Sequence, residues 1–344
     1  MPLTAGTPQI DTMPARLKQI NDWIRHTLGI TEYTLVPAST DASFRRYFRL
    51  AYNGETRIVM DAPPEREKCD AYIDIDTRLL AAGVQVPAIL GKDLDQGFLL
   101  LSDLGTVLYL DALTEGSAEG LYGDALTALA DMQTLADKSG LPPYDEKLLL
   151  QEMRLFPDWL LGRHLQINLP ERQQAGLQRI FDFLIANALE QPRVFVHRDY
   201  HSRNLMVCPG RNPGVVDFQD AVDGPFTYDL VSLLKDCYIK WPRKKINDWA
   251  LGFRRQTHGP ATYDDETFLR WFDLMGVQRH LKVSGIFARL YHRDHKDGFL
   301  KDIPRTLSYI VDLGQEYAEL NPLVELIEAQ VLPALEEANQ SCAP

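Results

Sequence analysis

The sequence contains little cysteine and no long apolar run. Its cysteines are widely spaced and form no C-x-x-C pair, so the sequence predicts neither a zinc ribbon nor a disulfide framework. They are Cys69, Cys208, Cys237 and Cys342. No apolar run approaches the length that spans a bilayer, and the first residues lack the basic start and apolar core of a signal peptide. We therefore expect a cytoplasmic protein that is not secreted and does not span a membrane.

The sequence also contains fewer basic than acidic residues. The chain has 36 Lys and Arg residues against 48 Asp and Glu residues, a formal net charge of -12. Proteins that bind nucleic acids usually present a basic face, so this balance argues against nucleic acid as a partner. We find no internal repeat and no low-complexity segment, which excludes solenoid and disordered classes. With 344 residues and 45% hydrophobic residues, the chain predicts a globular monomer of two lobes that acts on a small molecule.

The densest group of chemically active residues lies between residues 195 and 220. Short apolar runs at 194–196, 205–208 and 215–216 predict three buried strands, and the segment 209–214 predicts a turn between the last two. Such a hairpin returns the chain beside the loop that precedes it. We therefore expect Asp199 and Asn204 in that loop to lie close to Asp217, which follows the third strand.

These three residue types suit phosphoryl transfer from ATP. Asp199 would accept the proton of an attacking hydroxyl group. Asn204 and Asp217 would supply oxygen ligands to Mg²⁺, a hard cation that prefers such ligands. The sequence therefore predicts a kinase that uses ATP and Mg²⁺.

The spacing resembles the protein-kinase-like pattern H-x-D-x-x-x-x-N followed by D-F-x, in the variant typical of the aminoglycoside phosphotransferase family. His197, Asp199, Asn204, Asp217 and Phe218 carry the match, and the aspartate of Tyr228-Asp229-Leu230 matches a structural residue of the family. The resemblance implies an α+β, two-lobed protein-kinase-like fold, with a small β-rich lobe over residues 1–103 and a larger, mainly helical lobe over residues 104–344.

The resemblance also implies positions for the nucleotide site. The segment 39–43 stands where kinases carry a glycine-rich phosphate loop, yet it has no glycine, so we expect Ser43 and the following Arg46 to meet phosphate. Backbone groups around Leu101 and Ser102 would bond adenine at the connection between the lobes. Where kinases place a phosphate-pairing lysine, this chain has Met60. A nearby arginine would then supply the missing cation.

The periodicity of apolar residues predicts further elements. We expect a first helix from Leu17 to Leu28 that Gly29 ends, and a helix from Pro63 to about Ala82 that Gly83 ends. Asn53-Gly54 predicts a hairpin between two β-rich runs. Other predicted helices cover 118–135, 171–189, 271–290 and 323–338, and Val222–Pro225 is expected to form a turn.

The identity of the acceptor hydroxyl depends on residues outside the catalytic loop. Aromatic side chains beside charged groups suit a sugar ring, and a basic cluster over Gln278–Lys282 would bind an anionic substituent or lie on a solvated helix face. The predicted substrate residues are Glu152, Trp159, His201, Asp236, Tyr238, Trp241 and Arg279.

Several longer segments resemble one subgroup of the family, the bacterial anomeric kinases of N-acetylmuramate and N-acetylglucosamine. These segments are 43–49, 58–64, 152–159 and 278–289. The subgroup is similar in having Val-Met-Asp where other kinases have lysine. The resemblance implies transfer of the ATP γ-phosphate to the C1 hydroxyl of an amino sugar, giving the α-1-phosphate, in peptidoglycan recycling. The lactyl carboxylate of N-acetylmuramate would explain the basic cluster.

Rival interpretations remain open at this point. The pattern His197-x-Asp199-x-His201 also suits a metal hydrolase, and Asp217 to Asp220 could be an ordinary surface turn. The chain could phosphorylate another small hydroxyl compound, such as an aminoglycoside or a choline-like molecule. The absence of the strand lysine also suits a pseudokinase that binds nucleotide without turnover.

Overall fold

The computed structural model describes residues 13–39, 45–257 and 263–341. Contacts divide these residues into two units. The first holds the described residues up to Asp70 together with Pro87–Asp103, and the second holds Ala71–Val86 and the described residues from Leu104 onward. The first unit is built on an antiparallel sheet and the second is mainly helical, which gives the α+β architecture.

The first unit contains a helix and five strands. The helix α1 (Met13–Asp22) continues into a π-helical turn, Trp23–Thr27. The strands are β1 (Thr34–Ser39), β2 (Arg46–Tyr52), β3 (Glu55–Asp61), β4 (Ile89–Asp93) and β5 (Phe98–Ser102). They form one sheet in the order β1-β2-β3-β5-β4, with antiparallel neighbours throughout. Trp23 and Ile24 pack with Phe48, Val59 and Phe98 in the core of this unit.

Two predictions for this unit are confirmed. The β2–β3 hairpin pairs Tyr52 with Glu55, and its turn places Asn53 at φ 50° and Gly54 at φ 76°. Both angles lie in the left-handed region, which asparagine and glycine tolerate best. The first helical segment ends at Thr27 with Leu28 as its cap, and Gly29 follows at φ 71°. Its last turn is π-helical because the amide of Leu28 donates to the carbonyl of Trp23, five residues back.

The second unit is built from helices and two small antiparallel strand pairs. Its helices are α2 (Asp70–Ala81, of which Asp70 falls in the first unit), α3 (Tyr109–Ala112), α4 (Ala118–Leu135), α5 (Glu146–Met153), α6 (Glu171–Leu189), α7 (Tyr228–Leu234), α8 (Arg243–Gln256), α9 (Asp265–Asp294), α10 (Ile303–Val311), α11 (Asn321–Leu326) and α12 (Leu332–Ser341). Phe156–His164 and Ile327–Val331 form π-helical turns, and Leu300–Asp302 and Ala318–Leu320 form 3₁₀ turns. None of the described helices has the combined length and apolarity needed to cross a bilayer.

Helix α9 forms the centre of this unit. Its residues from Trp271 to Gly285 are all buried, and it packs against α6, α7, α10 and the turn Phe156–His164. At Gly285 a Cβ atom would lie 2.2 Å from the backbone carbon of Leu155. Only glycine permits that approach, so the sequence places the turn Phe156–His164 directly against α9.

The strands that carry the catalytic segment are short. They are β6 (Arg193–Val196), β7 (Leu205–Met206), β8 (Gly214–Val215) and β9 (Val222–Pro225). β7 pairs with β8 in the predicted hairpin, with Leu205 opposite Val215. β6 pairs with β9 instead.

Two predictions about local structure are wrong. Residues 222–225 form strand β9 and not a turn, because Phe195 and Val196 pair with Asp223 and Val222. The helix predicted from Pro63 begins only at Asp70. The amides of Arg66 and Glu67 both donate to the carbonyl of Pro63, which closes a separate turn before the helix.

Candidate active site

The loop that carries Asp199 is held by a buried carboxylate. After β6, the amide of His197 donates to Oδ2 of Asp229 at 2.6 Å and the amide of Arg198 donates to Oδ1 at 3.0 Å. Asp229 lies in the first turn of α7 and is fully buried. Arg198 has φ 79°, a left-handed conformation that is costly for a residue other than glycine. The two hydrogen bonds to Asp229 therefore fix a strained turn immediately before Asp199.

His197 links this loop to the strand that precedes Asp217. Its Nε2 lies 3.1 Å from the carbonyl oxygen of Val216, and its Nδ1 accepts the amide of Asp199 at 3.2 Å. Burial lowers the pKa of His197 to about 4, so the ring is neutral at physiological pH. Because both ring nitrogens form hydrogen bonds within the protein, this residue serves as a structural link, and neither nitrogen is left to bind a metal ion.

The structure brings Asp199, Asn204 and Asp217 together. The side-chain amide of Asn204 donates to the backbone carbonyl of Asp199 at 3.0 Å and approaches Oδ2 of Asp217 at 3.4 Å. The amide of Val216 donates to the carbonyl of Asn204 at 3.0 Å, which extends the hairpin. Asp217 is exposed, whereas the next residue, Phe218, is fully buried with its ring centroid 4.8 Å from that of Tyr72.

Asn204 and Asp217 fit a magnesium site. Both contacts of Asn204 use its nitrogen, which leaves its carbonyl oxygen to bind a cation beside the exposed carboxylate of Asp217. Mg²⁺ commonly takes one or two protein oxygens and fills its remaining positions with phosphate oxygens and water. The described residues contain no group of three or more His, Cys, Asp or Glu side chains placed to bind a metal ion. The donor set therefore suits a cation that arrives with a phosphate ligand.

The electrostatic surroundings keep Asp199 ionised. Burial by itself raises the pKa of this carboxyl, but the opposing charges of Lys282, His201, Arg279 and Arg198 lower it to about 2. Lys282 and Arg279 come from the buried middle of α9. The helix thus supplies positive charge behind the loop, and Asp199 is a carboxylate at any pH near neutrality.

Glu152 lies at the centre of a buried network behind the loop. Its Oε1 is 3.0 Å from Nζ of Lys282 and 2.6 Å from Nη2 of Arg198. Its Oε2 accepts a hydrogen bond from the hydroxyl of Tyr144. Burial raises the pKa of Glu152, but Lys282 and Arg198 together hold it below its usual value. The predicted basic cluster is consequently buried, with Lys282 against this carboxylate, so it does not form a solvated helix face.

Asp236 supports the other side of the loop. Its Oδ2 accepts the amide of Ser202 and its Oδ1 accepts the amide of Tyr238, each at 3.0 Å. The ring of His201 packs edge-on against Tyr238, with centroids 5.6 Å apart. Arg279 is 2% exposed, and its Nη1 lies 3.5 Å from Sγ of Cys237. The structure therefore brings Asp236, Tyr238, His201 and Arg279 together next to the loop.

The two predicted tryptophans lie in different surroundings. Trp241 packs with Tyr122 and Trp249, and its indole nitrogen donates to the hydroxyl of Tyr122 at 2.9 Å. Trp159 is half-buried in the π-helical turn Phe156–His164. A cavity between that turn and α6 is lined by residues that include Arg154, Asp158 and Gln178. Asp199, Asn204 and Asp217 do not border it.

The first unit contains the residues predicted for the nucleotide. Nε of Arg46 donates to Oδ2 of Asp61 at 3.0 Å, so this arginine forms an ion pair within its own unit. Met60 is fully buried. Leu101 and Ser102 end strand β5, and the amide of Ser102 donates to the carbonyl of Ala88 at 2.9 Å. Ser43 lies outside the described residues.

Two functional candidates were missed by sequence reasoning. Lys282 was recognised only as part of a basic cluster, and its partner Glu152 is too far away in the chain for spacing to reveal. Arg203 precedes Asn204 and is exposed, with its guanidinium carbon 4.9 Å from the ring centroid of Tyr238 and 5.1 Å from that of Phe299. Its position inside the catalytic loop was the only available signal.

Comparisons with known proteins agree with this geometry. The model of the phosphotransferase enzyme family matches residues 34–272. The N-acetylmuramate/N-acetylglucosamine kinase of Pseudomonas putida is 46% identical over 325 residues, which cover 91% of this chain and 96% of that protein. The protein of the same name from Neisseria meningitidis serogroup B is 40% identical over 319 residues, covering 90% of this chain and 94% of the relative.

Solved structures share the fold at low sequence identity. Choline kinase LicA from Streptococcus pneumoniae has a TM-score of 0.60 at 12% identity, covering 85% of this chain and 98% of that one. The ADP-bound aminoglycoside phosphotransferase APH(2'')-Ib has a TM-score of 0.57 at 17% identity, covering 85% of this chain and 97% of that one. The fold is thus protein-kinase-like, and the chain belongs to the phosphotransferase enzyme family.

Proposed function

We propose that this protein is an ATP-dependent sugar kinase that phosphorylates the C1 hydroxyl of N-acetylmuramate and N-acetylglucosamine. The product would be the α-1-phosphate, and the reaction would serve peptidoglycan recycling in the cytoplasm. The observation that carries the proposal is the similarity to kinases named for these two sugars, at 40% to 46% identity over at least 90% of this chain. The likeness to choline and aminoglycoside kinases is below 20% identity and supports the fold alone.

Asp199 is the proposed catalytic residue. Its carboxylate would accept a hydrogen bond from the C1 hydroxyl and orient the oxygen toward the γ-phosphorus of ATP. A carboxylate with a pKa of about 2 is a weak base. It would therefore take the proton only as the new O–P bond forms and the bond to the departing ADP oxygen breaks. The main contribution of Asp199 is thus orientation and charge, with proton transfer late in the step.

Asn204 and Asp217 are the proposed ligands of Mg²⁺. When bound, the ion would neutralise phosphate charge and lower the barrier to transfer. The contact from Asn204 to the carbonyl of Asp199 ties the metal site to the catalytic loop. Displacement of either metal ligand should therefore disturb the position of Asp199 as well.

The acceptor site is proposed to lie beside His201 and Tyr238. The rings of these two half-buried residues suit the apolar face of a sugar, and the tyrosine hydroxyl suits its hydroxyl groups. Glu152 and Asp236 each bind loop groups through both oxygens, so we assign them positioning roles. For the nucleotide, the backbone that binds adenine is proposed to lie at Leu101 and Ser102, with Arg46 near the phosphates.

The proposal can be tested by phosphorus NMR of the purified protein with Mg-ATP. N-acetylmuramate, N-acetylglucosamine, an aminoglycoside and choline would be supplied in separate samples. We expect a new sugar 1-phosphate resonance with the two amino sugars only. Transfer to the aminoglycoside or choline alone would contradict the proposal, and ATP binding without transfer to any acceptor would favour a pseudokinase.

Two variants test the assigned roles. Asp199→Asn should abolish turnover while ATP binding persists, because the substitution removes the proton acceptor and leaves the metal ligands. Asp217→Ala should weaken the binding of Mg-ATP itself, measured by calorimetry. Full activity in either variant would remove the role assigned to that residue.

A further inference from the structure

Arg203 presents a cation at the edge of the catalytic loop. It is exposed and directly precedes the proposed magnesium ligand Asn204. Tyr238 and Phe299 lie against its guanidinium, at 4.9 Å and 5.1 Å from the guanidinium carbon to the ring centroids. Tyr238 belongs to the proposed acceptor site, since its ring also packs against His201. Arg203 therefore lies beside the position proposed for the sugar.

The contacts of Arg203 leave part of its hydrogen-bonding edge available. Stacking on aromatic rings uses the faces of a guanidinium, whereas its N–H donors point outward in its plane. Arg203 and the Tyr238 hydroxyl also share a hydrogen bond, which occupies part of that edge. Among the residues that the structure describes, no acidic side chain forms an ion pair with Arg203, unlike Arg198, which is paired with Glu152. A planar fork of this kind suits a carboxylate.

Lys282 and Arg279, the other cations that α9 supplies near Asp199, are buried. Lys282 is 5% exposed and bound to Glu152, and Arg279 is 2% exposed. A group on a bound sugar would meet Arg203 before it met either of these. The two proposed substrates differ by one anionic group, the lactyl carboxylate that N-acetylmuramate carries and N-acetylglucosamine lacks.

We propose that Arg203 binds the lactyl carboxylate of N-acetylmuramate and so determines the preference between the two sugars. This inference rests on the proposed sugar kinase function. Tyr238 and Phe299 hold the guanidinium in place, which reduces the entropy lost when the carboxylate binds. N-acetylglucosamine makes no such contact.

The test compares kcat and KM for both sugars in the wild type, Arg203→Gln and Arg203→Lys. Arg203→Gln should lower kcat/KM for N-acetylmuramate roughly 10- to 100-fold, mainly through KM, because a charge-assisted hydrogen bond is lost. For N-acetylglucosamine, kcat/KM of Arg203→Gln should stay within about two-fold of the wild-type value. Arg203→Lys keeps the charge without the planar fork, so its kcat/KM for N-acetylmuramate should lie between the values of the wild type and Arg203→Gln. Arg255→Gln, a change at an exposed arginine of α8, is the matched control and should affect neither sugar.

A second substrate separates charge from shape. The methyl ester of N-acetylmuramate keeps the lactyl group but removes its charge, so wild type and Arg203→Gln should process the ester equally well. An equal loss of kcat with both amino sugars would overturn the inference and assign Arg203 to the transferred phosphate or to loop structure. Unchanged kinetics in Arg203→Gln would overturn it as well. Failure of the wild type to phosphorylate either sugar would instead refute the proposed function.

Discussion

Lys282 and Glu152 form a buried ion pair behind the catalytic loop, with Nζ and Oε1 3.0 Å apart and both side chains 6% exposed. Arg198, in the strained turn before Asp199, binds the same carboxylate oxygen. A single carboxylate therefore joins helix α5, helix α9 and the loop that carries the catalytic aspartate.

Glu152→Gln should destabilise the protein strongly. The substitution leaves the buried Lys282 and the half-buried Arg198 without their anion, and removing one partner of a buried pair typically costs about 3–5 kcal/mol. Urea denaturation would measure the change. Lys244→Ala removes an exposed pair with Asp248 and should change the free energy of unfolding by no more than about 0.5 kcal/mol. Equal effects of the two substitutions would show that the buried network contributes nothing special to stability.

Lys282→Met should shift the acid limb of the pH–rate profile to higher pH. Lys282 is the first of the charges that lower the pKa of Asp199, so removing it raises that pKa and protonates the carboxyl at a higher pH. The profile of kcat/KM should therefore begin to decline at a higher pH in the variant than in the wild type. The exposed Lys301→Met serves as the control. Superimposable profiles would mean that Lys282 does not influence the ionisation of Asp199.

Asp229→Asn should reduce turnover by disordering the loop. Its two oxygens accept the amides of His197 and Arg198, and an asparagine would place an NH₂ group against one of those donors. The backbone amide left without an acceptor should lower the stability of the loop by about 1–3 kcal/mol. We expect kcat to fall at least 10-fold in a folded protein, with the fold verified by circular dichroism. Wild-type kcat in this variant would show that the strained turn holds without Asp229.

Asp76 should make stability depend on pH. It is 2% exposed, its Oδ1 has no hydrogen-bond partner, and burial raises its pKa from 3.8 to about 7. Because the folded state binds the proton more tightly than the unfolded state, the stabilising contribution is complete below pH 4 and is lost as pH rises through 7.

The test for Asp76 compares wild type with Asp76→Asn by urea denaturation at pH 5 and pH 7.5. The variant cannot ionise at this position. Between the two pH values its free energy of unfolding should therefore fall less than that of the wild type, and the two falls should differ by on the order of 2 kcal/mol. Asp74→Asn, on the exposed face of the same helix, should behave like wild type. A fall in Asp76→Asn as large as that in wild type would exclude Asp76 as the titrating group.

The sequence allowed the local part of this site to be predicted. Asp199, Asn204 and Asp217 lie within nineteen residues, and a short hairpin is enough to bring them together. Helices α4 and α6 have the predicted bounds because their apolar residues repeat with a clear helical period. In such segments local pattern and tertiary packing favour the same structure.

The remaining features depend on partners that are distant in the sequence. Residues 222–225 look like a turn, yet they form a strand because β6 provides its partner. Local spacing suggests that Lys282 on α9 is solvated, yet Glu152, about 130 residues earlier, supplies the buried charge that pairs with it. Neither relationship is encoded in local spacing, so neither could be obtained from a single sequence.

The contact between Cys237 and Arg279 gives the protein an internal probe of motion. The thiol is buried beside the catalytic loop and 3.5 Å from the guanidinium, and burial raises its pKa against the opposing effect of the Arg279 charge. Alkylation at this position therefore requires the structure to open locally. In a protein whose other cysteines are replaced, the labelling rate of Cys237 would report the frequency of that opening, and bound sugar would slow it.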